Sequence, residues 1–409
     1  MVKNYATSWG QLPLSINQLC LATVLRCGQS FRWKASGPDE WSCGFPDRVI
    51  SLRQSPTHLH YRATYTSPPD LVAKDNTEDI VKDYFNLSVD LATLYKKWSA
   101  ADPNFKKKAG EFRGVRMLRQ DPWECLIGFI CSSNNNISRI GQMVDKLCQK
   151  YGKPVGTIIH TSTNPPLASS SPSTVNSPTP TQVTYYSFPS IEALTAPDVE
   201  STLRELGFGY RAGYIARTAL MVHNDRPKGF LNTLRDDKDY KEAHEALLEF
   251  MGVGPKVADC VCLMSLDKMG AVPVDTHVWQ IATRDYKFGK GKHRSLTKAV
   301  YDAVGDHFRD LWGDTAGWAH SVLFTADLRT FSDRLENTKT TTVKTKVKVE
   351  VKEEEEEDII KKEEVEEEVV TKVETKRVRK RGADGEVKAE TTVVKVEEKT
   401  ERRTRRRRG

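Results

Sequence analysis

Residues 240–284 read YKEAHEALLEFMGVGPKVADCVCLMSLDKMGAVPVDTHVWQIATR. In the first part of this stretch Ala243, Ala246, Leu247 and Phe250 recur at the spacing of one apolar helix face. Gly252-Val253-Gly254-Pro255 interrupts that face. Two glycines permit a tight turn with positive φ, and proline suits the first turn of a new helix. Val257, Cys260, Val261 and Met264 then repeat the helical spacing. The stretch predicts a helix, a short glycine hairpin and a second helix, packed through matching apolar faces.

On its own the hairpin is an ordinary αα-hairpin, which helical bundles use widely. It also suits a phosphate cradle, because glycines leave the backbone N–H groups at the start of the second helix open to an anion. The residues that follow favour the cradle. Lys256 sits at the start of the second helix, where its amine can stand near whatever the hairpin holds. Further on, Pro273-Val274-Asp275-Thr276-His277 puts a carboxylate at the predicted N-cap of a third helix beginning near His277. An amine and a carboxylate beside a phosphate cradle suit chemistry on a sugar–base bond.

At these residues the chain resembles the helix-hairpin-helix DNA glycosylases that carry a Gly/Pro-rich loop and a distal Asp. Four further segments narrow the resemblance to the eukaryotic 8-oxoguanine DNA glycosylases: Gly28–Trp33, Cys131–Asn136, Leu206–Arg211 and Gly317–Phe324. The resemblance runs from about Trp9 to Arg329, with one insert. It implies an α+β fold, with an N-terminal antiparallel β-sheet domain over 1–115 and a helical helix-hairpin-helix domain over 116–330. It implies a bifunctional DNA glycosylase and AP lyase that excises 8-oxoguanine opposite cytosine. In such an enzyme the Lys256 amine attacks C1′ of a flipped-out nucleotide, and Asp275 stabilises the charge developing on the sugar. The resulting Schiff base permits β-elimination, which nicks the strand.

The same resemblance assigns the other site residues. Gly28 offers a backbone carbonyl to the N7–H that distinguishes 8-oxoguanine from guanine; guanine N7 is an acceptor and would be repelled there. Cys260 and Phe324 sandwich the base. His320 stands where the family has glutamine, facing the Watson–Crick edge, and a neutral imidazole offers one donor and one acceptor. Asn134 fills the gap left by the flipped nucleotide, Tyr210 wedges at the lesion, and Arg139 and Arg211 read the opposite cytosine. Gly252, Gly254 and His277 hold phosphates. No soluble cofactor is implied. No metal is implied on side chains, although the family's hairpin holds a cation on main-chain carbonyls.

Read without the family, several of these residues have plainer roles. Tyr210 and Phe324 would be core, and the three asparagines would be caps and a turn. Three other functions stay open at this point: a glycosylase for alkylated bases, which would not need Lys256; a silent damage-binding module; and a scaffold that grips DNA without preference.

The chain has 409 residues and a net charge of +7, enough for two or three units. From Phe331 onward there are 23 Lys/Arg against 21 Asp/Glu, leaving 39 against 34 before it. This mild basic excess fits a nucleic-acid binder. No run of 18 apolar residues occurs, so no membrane partner is expected. The eight cysteines form no C-x-x-C pair and none follows Cys262, which excludes the four-cysteine iron–sulfur cluster of some helix-hairpin-helix glycosylases. Thiols in a reducing compartment are expected.

Before the central stretch, Ser30–Lys34, Arg48–Arg53 and His58–Thr64 read as β-strands, Asn76–Trp98 as helix, and Pro122–Ser132 as a buried helix. Residues 161–182 are rich in Ser, Thr and Pro and predict a disordered insert, after which helices resume at Ser190. After it, Leu296–Phe308 and Ala316–Arg329 read as helices. Residues 331–409 lack aromatics after Phe331, carry an acidic block over 353–368, and predict a disordered charged tail. Its basic clusters, Lys376–Arg381 and Arg402–Arg408, suit nuclear import or loose attraction to DNA. A monomer acting on double-stranded DNA in the nucleus is expected, with a mitochondrial pool left open.

Overall fold

The computed structural model describes residues 4–66, 75–161, 180–289, 295–334, 368–381 and 387–401. The chain divides into a compact unit, Met1–Lys339, and a second unit, Thr340–Gly409. The compact unit opens with β1 (Tyr5–Ala6), β2 (Gly10–Pro13), α1 (Leu21–Val24), β3 (Lys34–Gly37), β4 (Glu40–Gly44), β5 (Val49–Gln54) and β6 (His58–Tyr65). These strands make one antiparallel sheet in the order β1-β6-β5-β4-β3, with β2 also on β6. One face buries Ile50, Leu52 and Leu59 against Leu21, Val24 and Phe85. Each such side chain, fully buried, contributes about 1.5–3 kcal/mol.

The run predicted as a strand over Ser30–Lys34 becomes strand only at Lys34. The preceding residues serve the junction with the helices instead. Arg32 forks onto Glu124 through Nε and Nη2, at 2.8 and 2.7 Å. Trp33 Nε1 donates to Tyr84 Oη at 3.0 Å. Phe31 meets the Phe129 ring edge-on, with centroids 5.5 Å apart.

Next come α2 (Thr77–Tyr84), α3 (Leu91–Ala101), α4 (Pro103–Ala109), α5 (Pro122–Ile130) and α6 (Ile137–Tyr151). The single helix expected over Asn76–Trp98 is thus two. Asn86 takes a left-handed φ of 51°, and Asp90 restarts the helix by accepting from Ala92 N. A hairpin absent from the sequence reading follows, β7 (Pro154–His160) paired antiparallel with β8 (Thr181–Tyr186). Val155, Ile158 and Tyr185 pack on Val49, so the hairpin covers part of the main sheet. Thr181 and Gln182 belong to β8, so the insert ends earlier than expected; 162–179 lie outside the described residues.

The remaining helices are α7 (Val199–Glu205), α8 (Arg211–Asn224), α9 (Phe230–Asp236), α10 (Tyr240–Leu248), α11 (Pro255–Ser265), α12 (Thr276–Tyr286), α13 (Lys298–Trp312) and α14 (Ala316–Asp327). α10 and α11 form the predicted hairpin, but α11 differs from a one-faced helix: every residue from Val257 to Ser265 is buried. It is the central rod of the helical region, with α5 and α10 against it. Phe331, read as the first tail residue, is buried and packs edge-on against Phe112.

In the second unit, β9 (Glu368–Arg381) and β10 (Val387–Glu401) pair antiparallel. A lone two-stranded ribbon is marginal in water, in keeping with a tail whose composition builds no core. The acidic block before Glu368 and the cluster Arg402–Arg408 lie outside the described residues. Among the described residues, no helix is long and apolar enough to cross a membrane.

Candidate active site

The hairpin turn is built by two glycines doing different work. Asp239 and Glu242 close a capping box at the start of α10, a feature that contributes about 1 kcal/mol. At the far end Gly252 adopts φ +79°, and a Cβ there would come within 2.4 Å of Tyr214 Cδ2. Gly254 is the N-cap of α11, in ordinary extended backbone, and a Cβ there would meet nothing within 4 Å. Gly252 therefore serves the turn and the packing of Tyr214. Gly254 leaves the first amides of α11 open to an anion.

Lys256 stands in the first turn of α11, half-buried. Its Nζ donates to Ser132 Oγ at 3.3 Å and lies 5.2 Å from the centroid of the Phe129 ring. Asp275 caps α12, its Oδ1 accepting from His277 N and Val278 N, both at 2.9 Å. Both bonds fall on one oxygen, so Oδ2 remains for the pocket. Lys256 and Asp275 line the same pocket, with an empty volume of about 440 Å³ including its open mouth. Gly28, Cys260, His320 and Phe324 line it too, so the predicted catalytic pair and base-pocket residues all meet there.

The walls are close to neutral. Burial pushes the Cys260 thiol up to about 11 while Lys256 pulls the other way, so it presents an uncharged sulfur. His320 is 5% exposed; burial lowers it to about 4, against the opposing pull of Asp275. It is a neutral imidazole at physiological pH, and apart from an interaction with the Gly317 backbone neither ring nitrogen makes a well-formed hydrogen bond among the described residues. Buried polar atoms left without a well-formed bond cost about 1–3 kcal/mol each, which a bound polar edge would offset. His320 and Phe324 follow one another on α14, with centroids 6.4 Å apart. His277, exposed at the start of α12, meets Phe324 edge-on.

Behind the pocket lies a network the sequence reading did not anticipate. Asp259, 1% exposed, accepts from Tyr240 Oη at 2.6 Å and from Tyr301 Oη, with His244 Nε2 at 3.6 Å. Burial raises its carboxyl, and these partners oppose the rise. Tyr301 Oη also accepts from Val274 N at 3.4 Å. Tyr301 thereby ties α11, which carries Lys256, to the residue before Asp275.

The predicted DNA-contacting residues lie outside the pocket lining. Asn134 is exposed with φ 47°, and Asn135 and Asn136 bond the backbone around it, as a cap reading expects. Tyr210 is 46% exposed and not core; its Oη donates to Ser133 O at 3.1 Å. Arg211 is buried, lies 4.5 Å over the Tyr210 ring, and donates to Ser133 O and to Asn134 O. Arg139 stands exposed in the first turn of α6. Ser132, which lies in the Cys131–Asn136 segment, and Phe129 touch the Lys256 amine, a role that the sequence did not assign to either. A larger cavity between α5, α8 and α9 contains none of the predicted residues, and its Arg226 is already paired with Glu249.

The chain is similar to known proteins along most of its length. Residues 11–126 match the family model described as 8-oxoguanine DNA glycosylase, N-terminal domain. Residues 127–302 match that of the HhH-GPD superfamily base excision DNA repair proteins. The chain is 37% identical over 372 residues to the N-glycosylase/DNA lyase of Saccharomyces cerevisiae, covering 82% of this chain and 90% of that protein. It is 37% identical over 324 residues to the N-glycosylase/DNA lyase OGG1 of Arabidopsis thaliana, covering 78% and 80%. Among solved structures, it resembles the Clostridium acetobutylicum 8-oxoguanine glycosylase/lyase bound to double-stranded DNA with cytosine opposite 8-oxoguanine. There the TM-score is 0.59 at 27% identity, over 75% of this chain and 91% of that one.

Proposed function

The chain belongs to the family of 8-oxoguanine N-glycosylase/DNA lyases, and from that premise we propose how its residues excise 8-oxoguanine from opposite cytosine. It is a DNA N-glycosylase with lyase activity, working in base excision repair. The lesion nucleotide leaves the duplex and enters the pocket between Phe324 and Cys260. Gly28 and the neutral His320 face its polar edges. The uncharged Lys256 amine attacks C1′, the C1′–N9 bond breaks, and the base departs with its electron pair and takes up a proton. Asp275 Oδ2 stabilises the cationic sugar on the way. The lysine–sugar adduct opens to a Schiff base, whose C2′ proton is lost as the 3′ phosphate is expelled.

Outside the pocket, Gly254 and the first amides of α11 receive a phosphate, with His277 beside a second. Asn134 and Tyr210 occupy the gap, and Arg139 and Arg211 face the estranged base, whose O2 and N3 are acceptors. The protein works as a monomer on nuclear DNA. The observation that carries this reading is the meeting of Lys256 and Asp275 in one pocket walled by an aromatic ring, a thiol and a buried neutral imidazole.

The test is a set of duplexes with 8-oxoguanine opposite each of the four bases, scored for cleavage. Fastest cleavage opposite cytosine is expected. Equal cleavage opposite all four contradicts the opposite-base reading, and no cleavage contradicts the enzyme.

A further inference from the structure

The turn between α5 and α6 is held from two sides. On one side Lys256 Nζ donates to Ser132 Oγ at 3.3 Å. The same hydroxyl gives its own proton to Phe129 O at 2.7 Å, so towards the amine it can only accept. On the other side the start of α8 grips the next two peptide groups. Tyr210 Oη donates to Ser133 O at 3.1 Å, and Arg211 Nη2 donates to Ser133 O and, at 3.3 Å, to Asn134 O. Asn134 itself sits at φ 47°, the left-handed region that asparagine adopts more readily than other L-residues, so the turn has a defined shape. Arg211 is 4% exposed, yet among the described residues its Nε has no partner. The clasp therefore leaves a buried guanidinium incompletely satisfied.

We infer that Ser132–Asn134 is a coupling element, with Ser132 the positioning residue that ties the Lys256 amine to the residues facing the opposite strand. This rests on the reading of Lys256 as nucleophile and Arg211 as a reader of the opposite base. A guanidinium has five donors in one rigid plane. When Arg211 turns them to a base, Nη2 leaves Ser133 O and Asn134 O. The turn loses the bonds that fix it, and Ser132, one residue away, loses its register with the amine. The amine is released from a site where its hydrogens were spent on an acceptor and the Phe129 ring face. The opposite base thus acts on the rate of excision as well as on affinity.

The experiment measures single-turnover excision on 8-oxoguanine opposite cytosine and opposite adenine, with duplex dissociation constants in parallel. Wild type, Ser132→Ala and Ser132→Thr are compared. In Ser132→Ala the cytosine-to-adenine ratio of excision rates narrows by about five-fold or more, the lower range of measured couplings, while the ratio of dissociation constants is unchanged. Ser132→Thr keeps the hydroxyl and restores the rate ratio. An unchanged rate ratio in Ser132→Ala, or an equal shift in the affinity ratio, overturns the inference. Should Ser132→Ala melt too low to assay, Ser132→Cys, close in volume and a poor acceptor, carries the same comparison. Wild-type protein that excises nothing counts against the function itself, whereas excision with an unmoved ratio counts against the coupling alone.

Discussion

The ring of Tyr214 occupies the place where a side chain on Gly252 would stand, its Cδ2 within 2.4 Å of the position a Cβ would take. Gly252 also has φ +79°. Gly252→Ala therefore meets two penalties, about 1–2 kcal/mol from the left-handed backbone and about 1–3 kcal/mol from overpacking. Gly254→Ala meets neither and should stay within about 0.5 kcal/mol of wild type. Its methyl group nevertheless stands on the path of an anion to the α11 amides. Thermal melting should separate the two variants, with only Gly252→Ala destabilised. Duplex affinity should fall in Gly254→Ala; binding as tight as wild type would remove the phosphate from that position.

Asp275 has two duties, and one substitution separates them. Its Oδ1 caps α12 through His277 N and Val278 N. Asparagine caps about as well as aspartate, so Asp275→Asn should melt near wild type and bind duplex nearly as tightly. It loses the negative charge facing the sugar, and single-turnover excision should fall by about 10²-fold or more. A loss of binding parallel to the loss of rate would make the residue a structural cap only.

His320 gives the fold a pH dependence of known sign. Its imidazole is lowered from 6.5 to about 4 by burial, so between those values the unfolded chain holds a proton that the folded protein does not. Stability from this residue is complete above pH 6.5 and is lost as pH falls towards 4, by about 2 kcal/mol at pH 5. His320→Gln cannot titrate. Its urea midpoint should fall less than that of wild type between pH 7 and pH 5. Equal falls would mean that His320 is protonated in the native state.

The residues of the site differ in how far the sequence exposes them. The hairpin was legible because its apolar spacing, its glycines and its proline are local, and local periodicity survives in a single chain. Asp275 was legible as a cap for the same reason. Tyr301, Asp259 and Ser132 were not, because their roles come from contacts between segments far apart in sequence; Ser132 and Lys256 are 124 residues apart. β7 and β8 were hidden by the insert between them, which separates two short strands that only pairing identifies. Gly28 and His320 stood out through family resemblance alone. What the structure adds for His320 is its environment: a buried ring that burial keeps neutral.

The central claim is that the Lys256 amine forms the covalent bond to the sugar. It is tested most directly by borohydride trapping on an 8-oxoguanine·cytosine duplex, wild type against Lys256→Gln. Glutamine keeps a polar, flexible side chain of nearly the same bulk at this half-buried position, so the variant should fold and bind DNA. We expect a trapped protein–DNA adduct with wild type and none with Lys256→Gln. An adduct at wild-type yield from Lys256→Gln would place the nucleophile elsewhere and contradict the account.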